Sequence, residues 1–120
     1  MPMRNVLMLR APGQIDGMVV DTGADNFAGE ILDGQVTFVA SVELPTSSIV
    51  LLANKTEQDA AATAELNASV LPPLVRRERA IFGRALAVRV DVRGEPLDLF
   101  LGEYLFEAVA RGGDLPPAHK

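Results

Sequence analysis

The residues best suited to chemistry lie early in the chain, where the apolar pair Val19 and Val20 leads into Asp21, Thr22 and Gly23. A carboxylate at such a position can activate water as a general base or protonate a leaving group as an acid. Two carboxylates about 3 Å apart share one proton and supply both roles. Because Asp-Thr-Gly occurs once in the chain, such a pair requires two copies related by a two-fold axis.

A tight turn accounts for the same residues without any chemistry. Asp and Thr side chains bond to nearby backbone groups, and Gly accepts the positive φ angle that many turns need. Other chemistries fit the sequence poorly, since there is no Cys and the single His, His119, is next to the last residue. The acidic residues lack the spacing of a calcium loop, and the glycines match neither a P-loop nor a dinucleotide fingerprint. We therefore predict no metal site and no cofactor.

The stretch VVDTGAD resembles the active-site segment of the retropepsins, the half-size aspartic proteases of retroviruses and their bacterial relatives. A second and less specific likeness is FLGEYLFEAV, whose Phe100, Leu101 and Gly102 resemble the later apolar pair and glycine of that family. The two matches cover about a quarter of the chain. The resemblance implies a homodimeric endopeptidase that cleaves peptides with water activated by Asp21.

The resemblance also implies roles for the neighbouring residues. Thr22 would brace the two active-site loops across the dimer, Gly23 would let the substrate approach the backbone, and Gly102 would pack beneath the loop. The turn PTSS falls where the family places its substrate-covering flap. The residues implied are Asp21, Thr22 and Gly23 for catalysis and Asp25, Pro45, Thr46, Ser47 and Ser48 for substrate binding.

Departures from the family pattern keep other functions open. Glu103 stands where the family often has Arg, and no glycine lies between Gly34 and Gly83, although family flaps are usually glycine-rich. The whole chain is also weakly similar to small uncharacterised α+β proteins of phages and mobile elements. That likeness implies a non-enzymatic binding or structural assembly module in which Asp21 is only a turn residue. A protease-like barrel that dimerises or binds peptides without cleaving them is a third alternative.

Length and composition bound the remaining properties. The 120 residues, 48% of them hydrophobic, suffice for one core, so we predict a single domain over residues 1–113 and a flexible tail over 114–120. The net charge of -5 argues against a nucleic-acid partner. No apolar run approaches the roughly 20 residues that span a bilayer, and no signal peptide is evident. We expect a cytoplasmic homodimer or larger homo-oligomer, without membrane contact.

Hydrophobic periodicity predicts the elements. The segments NVLMLR and MVV form a hairpin, and DNFAGEILDG forms a short helix with Phe27, Ile31 and Leu32 inward. The strand QVTFVASVEL alternates, which places Phe38, Ala40, Val42 and Leu44 on one face.

The remaining segments complete the predicted architecture. After the PTSS turn comes the buried strand IVLLA, then the Ala-rich helix TEQDAAATAELNASVL, capped by Thr56. The strand RALAVRVDVRG, with Leu86, Val88, Val90 and Val92 on one face, and the closing helix EYLFEAVARGG follow. The predicted fold is mainly β, or α+β by content, as a single small β-barrel-like domain with one Ala-rich helix and a short C-terminal helix.

Overall fold

A six-stranded antiparallel sheet organises the protein, for which a computed structural model describes residues 3–10, 13–23, 26–60 and 81–110. The elements in chain order are β1 (Met3–Arg10), β2 (Gln14–Asp21), α1 (Phe27–Leu32), β3 (Val36–Glu43), β4 (Ser47–Asn54), α2 (Lys55–Asp59), β5 (Ala85–Asp91), β6 (Pro96–Leu97) and α3 (Leu101–Ala110). The main path of the sheet runs β2-β1-β5-β4-β3.

The short strand β6 pairs with the second half of β5, where β1 no longer does. Its neighbour Asp98 fastens it to β1, because the Asp98 carboxylate accepts hydrogen bonds from the backbone and side-chain nitrogens of Asn5 at 2.8 and 3.1 Å. The backbone N–H of Leu99 then donates to the carbonyl of Asn5. At this end of the sheet β6 therefore separates β1 from β5.

Helices cover both faces of the sheet. On one face α3 places the buried ring of Tyr104 over β1, β4 and β5. On the other face α1 packs Leu32 against the alternate residues of β1 and β5. The fully buried side chains of the first face are Leu7, Leu9, Ile49, Leu51, Ala53, Ile81, Ala85, Ala87, Leu99 and Tyr104. Because apolar side chains point to both faces, the central strands read as continuous apolar runs in the sequence.

The predicted fold class is confirmed, since the described chain is mainly β with three short helices. The sheet is open, with β2 and β3 at its two edges among the described residues, and it does not close into a barrel. The first hairpin, the short helix α1 and the C-terminal helix occur where the sequence predicts them. The described helices include none long and apolar enough to cross a membrane.

Most of the segment predicted as an Ala-rich helix lies in residues 61–80, outside the described chain, and its first residues belong to α2. The expected cap at Thr56 is wrong. Asn54 caps α2 instead, since its side-chain oxygen accepts the backbone N–H of Glu57 at 3.0 Å. The amide of Asn54 also donates to the carbonyl of Leu32, which ties α2 to the end of α1.

Two expected inward side chains point outward. The pairing of β3 with β4 shifts between Phe38 and Ala40, so an extra residue, Val39, interrupts the alternation. Val39 is consequently buried and Phe38 is exposed. Val92 is exposed because β5 ends at Asp91 and the chain turns there.

Candidate functional site

The Asp21 turn, residues 21–23, ends edge strand β2. The Asp21 carboxylate accepts the backbone N–H of Gly23 at 2.9 Å, which is the bond expected when an Asp side chain closes a turn. Asp21 and Thr22 are half-buried, and Gly23 is exposed. Asp25, the second carboxylate of the motif, lies outside the described residues. The arrangement has the local geometry of a turn and presents one carboxylate at the sheet edge.

The residues implied as a flap form the turn between β3 and β4. Its backbone closes through a 2.8 Å hydrogen bond from the N–H of Leu44 to the carbonyl of Ser47. Pro45 and Thr46 are exposed, whereas Ser47 is buried as the first residue of β4. Ser48 is half-buried and donates to Glu43 at 2.6 Å.

The Asp21 turn and the β3–β4 turn lie at the same end of the sheet. Asp21 pairs with Met3 at the start of β1, and Ser47 pairs with Asp91 at the end of β5. Because β1 and β5 are antiparallel, the start of β1 and the end of β5 lie at the same end. The strands β1, β6 and β5 separate them, so one copy of the chain does not bring them together. No described atom lies within 4 Å of a Cβ placed at Gly102. The expected packing of Gly102 beneath the Asp21 loop, of which residues 24 and 25 lie outside the described chain, stays a prediction.

A cleft of about 330 Å³ opens between the start of α3 and the β3–β4 hairpin. We call it the α3 cleft, and its lining residues are Leu44, Ile49, Arg89, Leu99, Gly102, Glu103 and Phe106. Ile49 and Leu99 are almost fully buried, whereas the ring of Phe106 is 68% exposed. A large aromatic side chain left in water beside an apolar cavity is a common feature of a contact surface.

Polar groups hold one side of the α3 cleft in place. The Arg89 guanidinium donates to the Glu103 carboxylate at 2.8 Å and, through Nε, to the hydroxyl of Ser47 at 2.9 Å. Glu103 also accepts the backbone N–H of Phe100 at 3.1 Å, which caps the start of α3. Since the charges of Arg89 and Glu103 compensate each other, the cleft presents an apolar surface with a neutralised polar wall.

A second polar cluster, the α2 clasp, consists of Glu57 and Gln58 on α2 and Phe82 and Arg84 before β5. Glu57 accepts the backbone N–H of Arg84 at 3.0 Å and its Nε at 3.1 Å, and Gln58 accepts the N–H of Phe82 at 2.9 Å. Partial burial opposes ionisation of Glu57, but the hydrogen bonds and charge of Arg84 outweigh it and hold the pKa of Glu57 below its usual value.

The side chain of Tyr104 lies in the core beneath α3, and its hydroxyl has no hydrogen-bond partner within the described chain. Burial raises the pKa of this phenol far above its ordinary value, because the charged form would lose its hydration. The position belongs to the same core cluster as Ile49 and Leu99 of the cleft. Tyr104 therefore supports the cleft floor and stays neutral.

Sequence reasoning missed the α3 cleft because its residues come from three separated segments. In the sequence, Arg89 lies in the alternating strand and Glu103 lies at the start of the closing helix, and only the topology brings them together. The signal available in the sequence is weak: one phenylalanine, Phe100, just before the closing helix and a second, Phe106, within it. Among the described residues, no cluster of three or more His, Cys, Asp or Glu side chains could hold a metal ion.

The chain belongs to a family of unknown function (DUF5880), whose model matches residues 6–106. The matched region runs from β1 into α3 and therefore includes the Asp21 turn and all residues that line the α3 cleft. No curated protein and no solved structure matches the chain.

Proposed function

We propose that this protein is a non-enzymatic binding module, and that the α3 cleft receives an apolar side chain of a peptide or protein partner. The observation that carries the proposal is the exposed ring of Phe106 beside an apolar floor formed by Ile49 and Leu99. Burying such a ring removes apolar surface from water and favours association. The volume of about 330 Å³ matches one large side chain with adjoining backbone.

The electrostatics of the cleft favour a neutral apolar group over a charged one. Arg89 is already engaged by Glu103 and Ser47, so an incoming carboxylate would have to displace an existing charged partner. An apolar side chain leaves those hydrogen bonds intact. The partner chemistry is therefore leucine-like or phenylalanine-like, presented from an extended or turn segment.

Titration with capped single residues tests this proposal. We expect N-acetyl-leucine amide and N-acetyl-phenylalanine amide to shift the backbone amide NMR signals of residues 44–49 and 99–106, whereas N-acetyl-glycine amide does not. Phe106→Ser should abolish the shifts. Phe38→Ser removes an exposed ring from β3, outside the cleft, and should leave them unchanged. Shifts scattered over the sheet, or equal in both variants, would contradict the proposal.

Aspartic endopeptidase activity is the second candidate function. It is favoured by the half-exposed Asp21 carboxylate, oriented at a strand end by the N–H of Gly23. The mechanism requires Asp21 of two copies to come within hydrogen-bond distance, so that one carboxylate activates water while the other, protonated, donates to the peptide carbonyl. Thr22, Gly23 and Asp25 would support the paired loops, and the β3–β4 turn would cover the peptide.

Cleavage of a mixed peptide pool, followed by mass spectrometry from pH 4 to 7, decides this second candidate. Proteolysis predicts products with the wild-type protein and none with a folded Asp21→Asn variant. Equal patterns for the two proteins, or no products from either, would exclude a role for Asp21 in hydrolysis and leave it as a turn residue.

A further inference from the structure

Strand β2 is a long and regular sheet edge that, among the described strands, pairs on one side only. Its eight residues pair with β1 in an unbroken register from Gln14 to Asp21. Along residues 15–20 the opposite edge of β2 pairs with no other described strand. Proteins usually protect such edges with a bulge, a Pro, a Lys or a cover. Strand β3, at the other edge, has a bulge after Phe38, whereas the segment QIDGMVVD has neither a bulge nor Pro nor Lys.

The charge within β2 does not prevent pairing with another strand. Asp16 is the only charged residue in the interior of β2, and its carboxylate accepts a hydrogen bond from Arg10 of β1 at 2.9 Å. That ion pair reduces the net charge presented at the middle of the edge. Val19, on the face that carries α3, is 58% exposed and has apolar surface that a neighbouring strand would cover.

We propose that two copies of this chain associate through antiparallel pairing of their β2 strands, with Gly17 on the two-fold axis. In an antiparallel pair, opposite residues share a face of the sheet. Centring on Gly17 places Ile15 opposite Val19 of the partner subunit, twice by symmetry. The exposed side chain of Val19 is thereby paired with the apolar side chain of Ile15. On the two-fold axis the two Gly17 residues face each other, and neither has a side chain.

Neighbouring registers are less favourable. An axis at Asp16 sets two like charges directly opposite each other, which destabilises a strand pair. An axis at Met18 sets the Asp21 carboxylate opposite the apolar Ile15. The Gly17 register avoids the like-charge pair and sets one carboxylate, Asp16, opposite an apolar residue, Met18, whereas the Met18 register sets both Asp16 and Asp21 opposite apolar residues. Asp16 also keeps its ion pair with Arg10. Of these three registers, the one centred on Gly17 is therefore favoured.

This dimer differs from the one that proteolysis requires. Asp21 is four residues from Gly17, so the two Asp21 residues would be separated by about eight residue spacings, or about 27 Å along the paired strands. The two carboxylates then cannot share a proton. The inference is independent of the α3 cleft, because no residue of β2 lines it.

Cysteine cross-linking tests the register directly, because the chain has no native Cys. A Gly17→Cys variant should form a covalent dimer on mild oxidation, since directly opposite residues lie within the Cα separation that a disulfide accepts. Among the described residues, a Cβ at Gly17 meets only Leu7, at 4.0 Å, so the variant should fold. Asp21→Cys should stay monomeric on denaturing gels. The opposite result, cross-linking through Asp21→Cys alone, would overturn the proposal in favour of the catalytic dimer.

Light scattering after size-exclusion chromatography supplies the second readout. We expect the wild type to have the mass of a dimer, and Val19→Lys, which adds a charge at an exposed edge position, to have the mass of a monomer. Phe38→Lys makes the matched change on the other edge strand and should remain dimeric. A monomeric wild type, or equal loss of the dimer in both lysine variants, would refute β2 pairing.

Discussion

The structure around Asp21 is compatible with both interpretations of the Asp-Thr-Gly motif, a turn and a catalytic loop. Its carboxylate accepts the N–H of Gly23, which a turn requires, and the same bond orients the carboxylate at a strand end, which a catalytic loop would also need. The motif therefore identifies the position of the carboxylate but not its role. The role depends on what the second copy of the chain places opposite it.

The hydroxyl of Tyr104, which has no hydrogen-bond partner among the described residues, allows a prediction about the free energy of unfolding. Removing a buried polar group that lacks a partner eliminates its desolvation cost, so Tyr104→Phe should raise the free energy of unfolding by about 1 kcal/mol. Urea denaturation measures the change. Tyr104→Ala, which deletes the ring and leaves a cavity, should instead lower the free energy of unfolding by about 3 kcal/mol or more.

Tyr104 also predicts an alkaline transition. The unfolded chain ionises tyrosine near pH 10.0, whereas burial raises the folded pKa well above that value. The stability contributed by the neutral phenol is therefore complete below pH 10.0 and is lost as the pH rises above it. Because the chain has one Tyr, tyrosinate absorbance should appear only on unfolding. The Tyr104→Phe variant should lack this component of the alkaline destabilisation.

The α2 clasp should make the protein less stable in acid, whereas Tyr104 makes it less stable in alkali. Since the folded pKa of Glu57 is held below its usual value of 4.5, its ionised form stabilises the fold above that pH and the contribution is lost as the pH falls through the folded pKa. Glu57→Gln should therefore be less stable than the wild type at neutral pH, with a difference that narrows in acid. Thermal unfolding against pH measures it. Asp59→Asn, on the exposed part of the same helix, should have little effect.

At the scale of elements, sequence patterns predict strands and helices well and their partners poorly. The first hairpin, α1 and β4 follow directly from periodicity and turn residues. Phe38 was placed on the wrong face because a bulge changes the alternation without any Gly or Pro to mark it. The α3 cleft was missed because its ion pair joins residues from different segments, and periodicity within one segment carries no information about that pairing.

Three glycines provide a graded test of the loops and of α3. Gly83 has φ of 75°, and a Cβ there would lie 2.6 Å from the Cβ of Glu57, so Gly83→Ala should destabilise most. Gly94 has φ of 82°, but no described atom lies within 4 Å of a Cβ placed there, so Gly94→Ala should cost about 1 kcal/mol from backbone strain alone. Gly102→Ala should stabilise by about 0.5 kcal/mol, because Gly102 lies in a helix and an added Cβ meets none of the described residues.

Chemical denaturation of the three variants under one condition measures this order. Equal losses for Gly83→Ala and Gly94→Ala would mean that the contact with Glu57 relaxes freely. A loss at Gly102→Ala would mean that atoms outside the described residues pack against the start of α3.

For the molecule as a whole, the two proposed surfaces lie at different positions across the width of the sheet. The α3 cleft lies between α3 and the β3–β4 hairpin, while the β2 edge lies at the far side of β1. Fold class followed from composition and periodicity, because apolar runs bounded by turn residues dominate the chain. The order of the strands in the sheet could not be predicted in this way. The position of β6 beside β1 depends on the hydrogen bond between Asp98 and Asn5, which lie near opposite ends of the chain.

Hydrogen exchange distinguishes these surfaces in one experiment. Strands β1, β4 and β5 are flanked on both sides, so their amides should exchange slowest. Pairing of β2 with a second copy should also protect alternate amides of β2 in the wild type. In Val19→Lys these amides should exchange rapidly while the β4 and β5 amides remain slow. Unchanged exchange along β2 would contradict its pairing with a second copy.

The α2 clasp also determines how the described chain is led into β5. Glu57 accepts the backbone N–H of Arg84 and Gln58 accepts that of Phe82, so residues 27 and 24 positions apart in the sequence are held together by short hydrogen bonds. Both bonds end on backbone N–H groups and not on side chains alone. The clasp therefore fixes the path of the chain just before β5, and a substitution in α2 should be felt at the start of a central strand that is distant in the sequence.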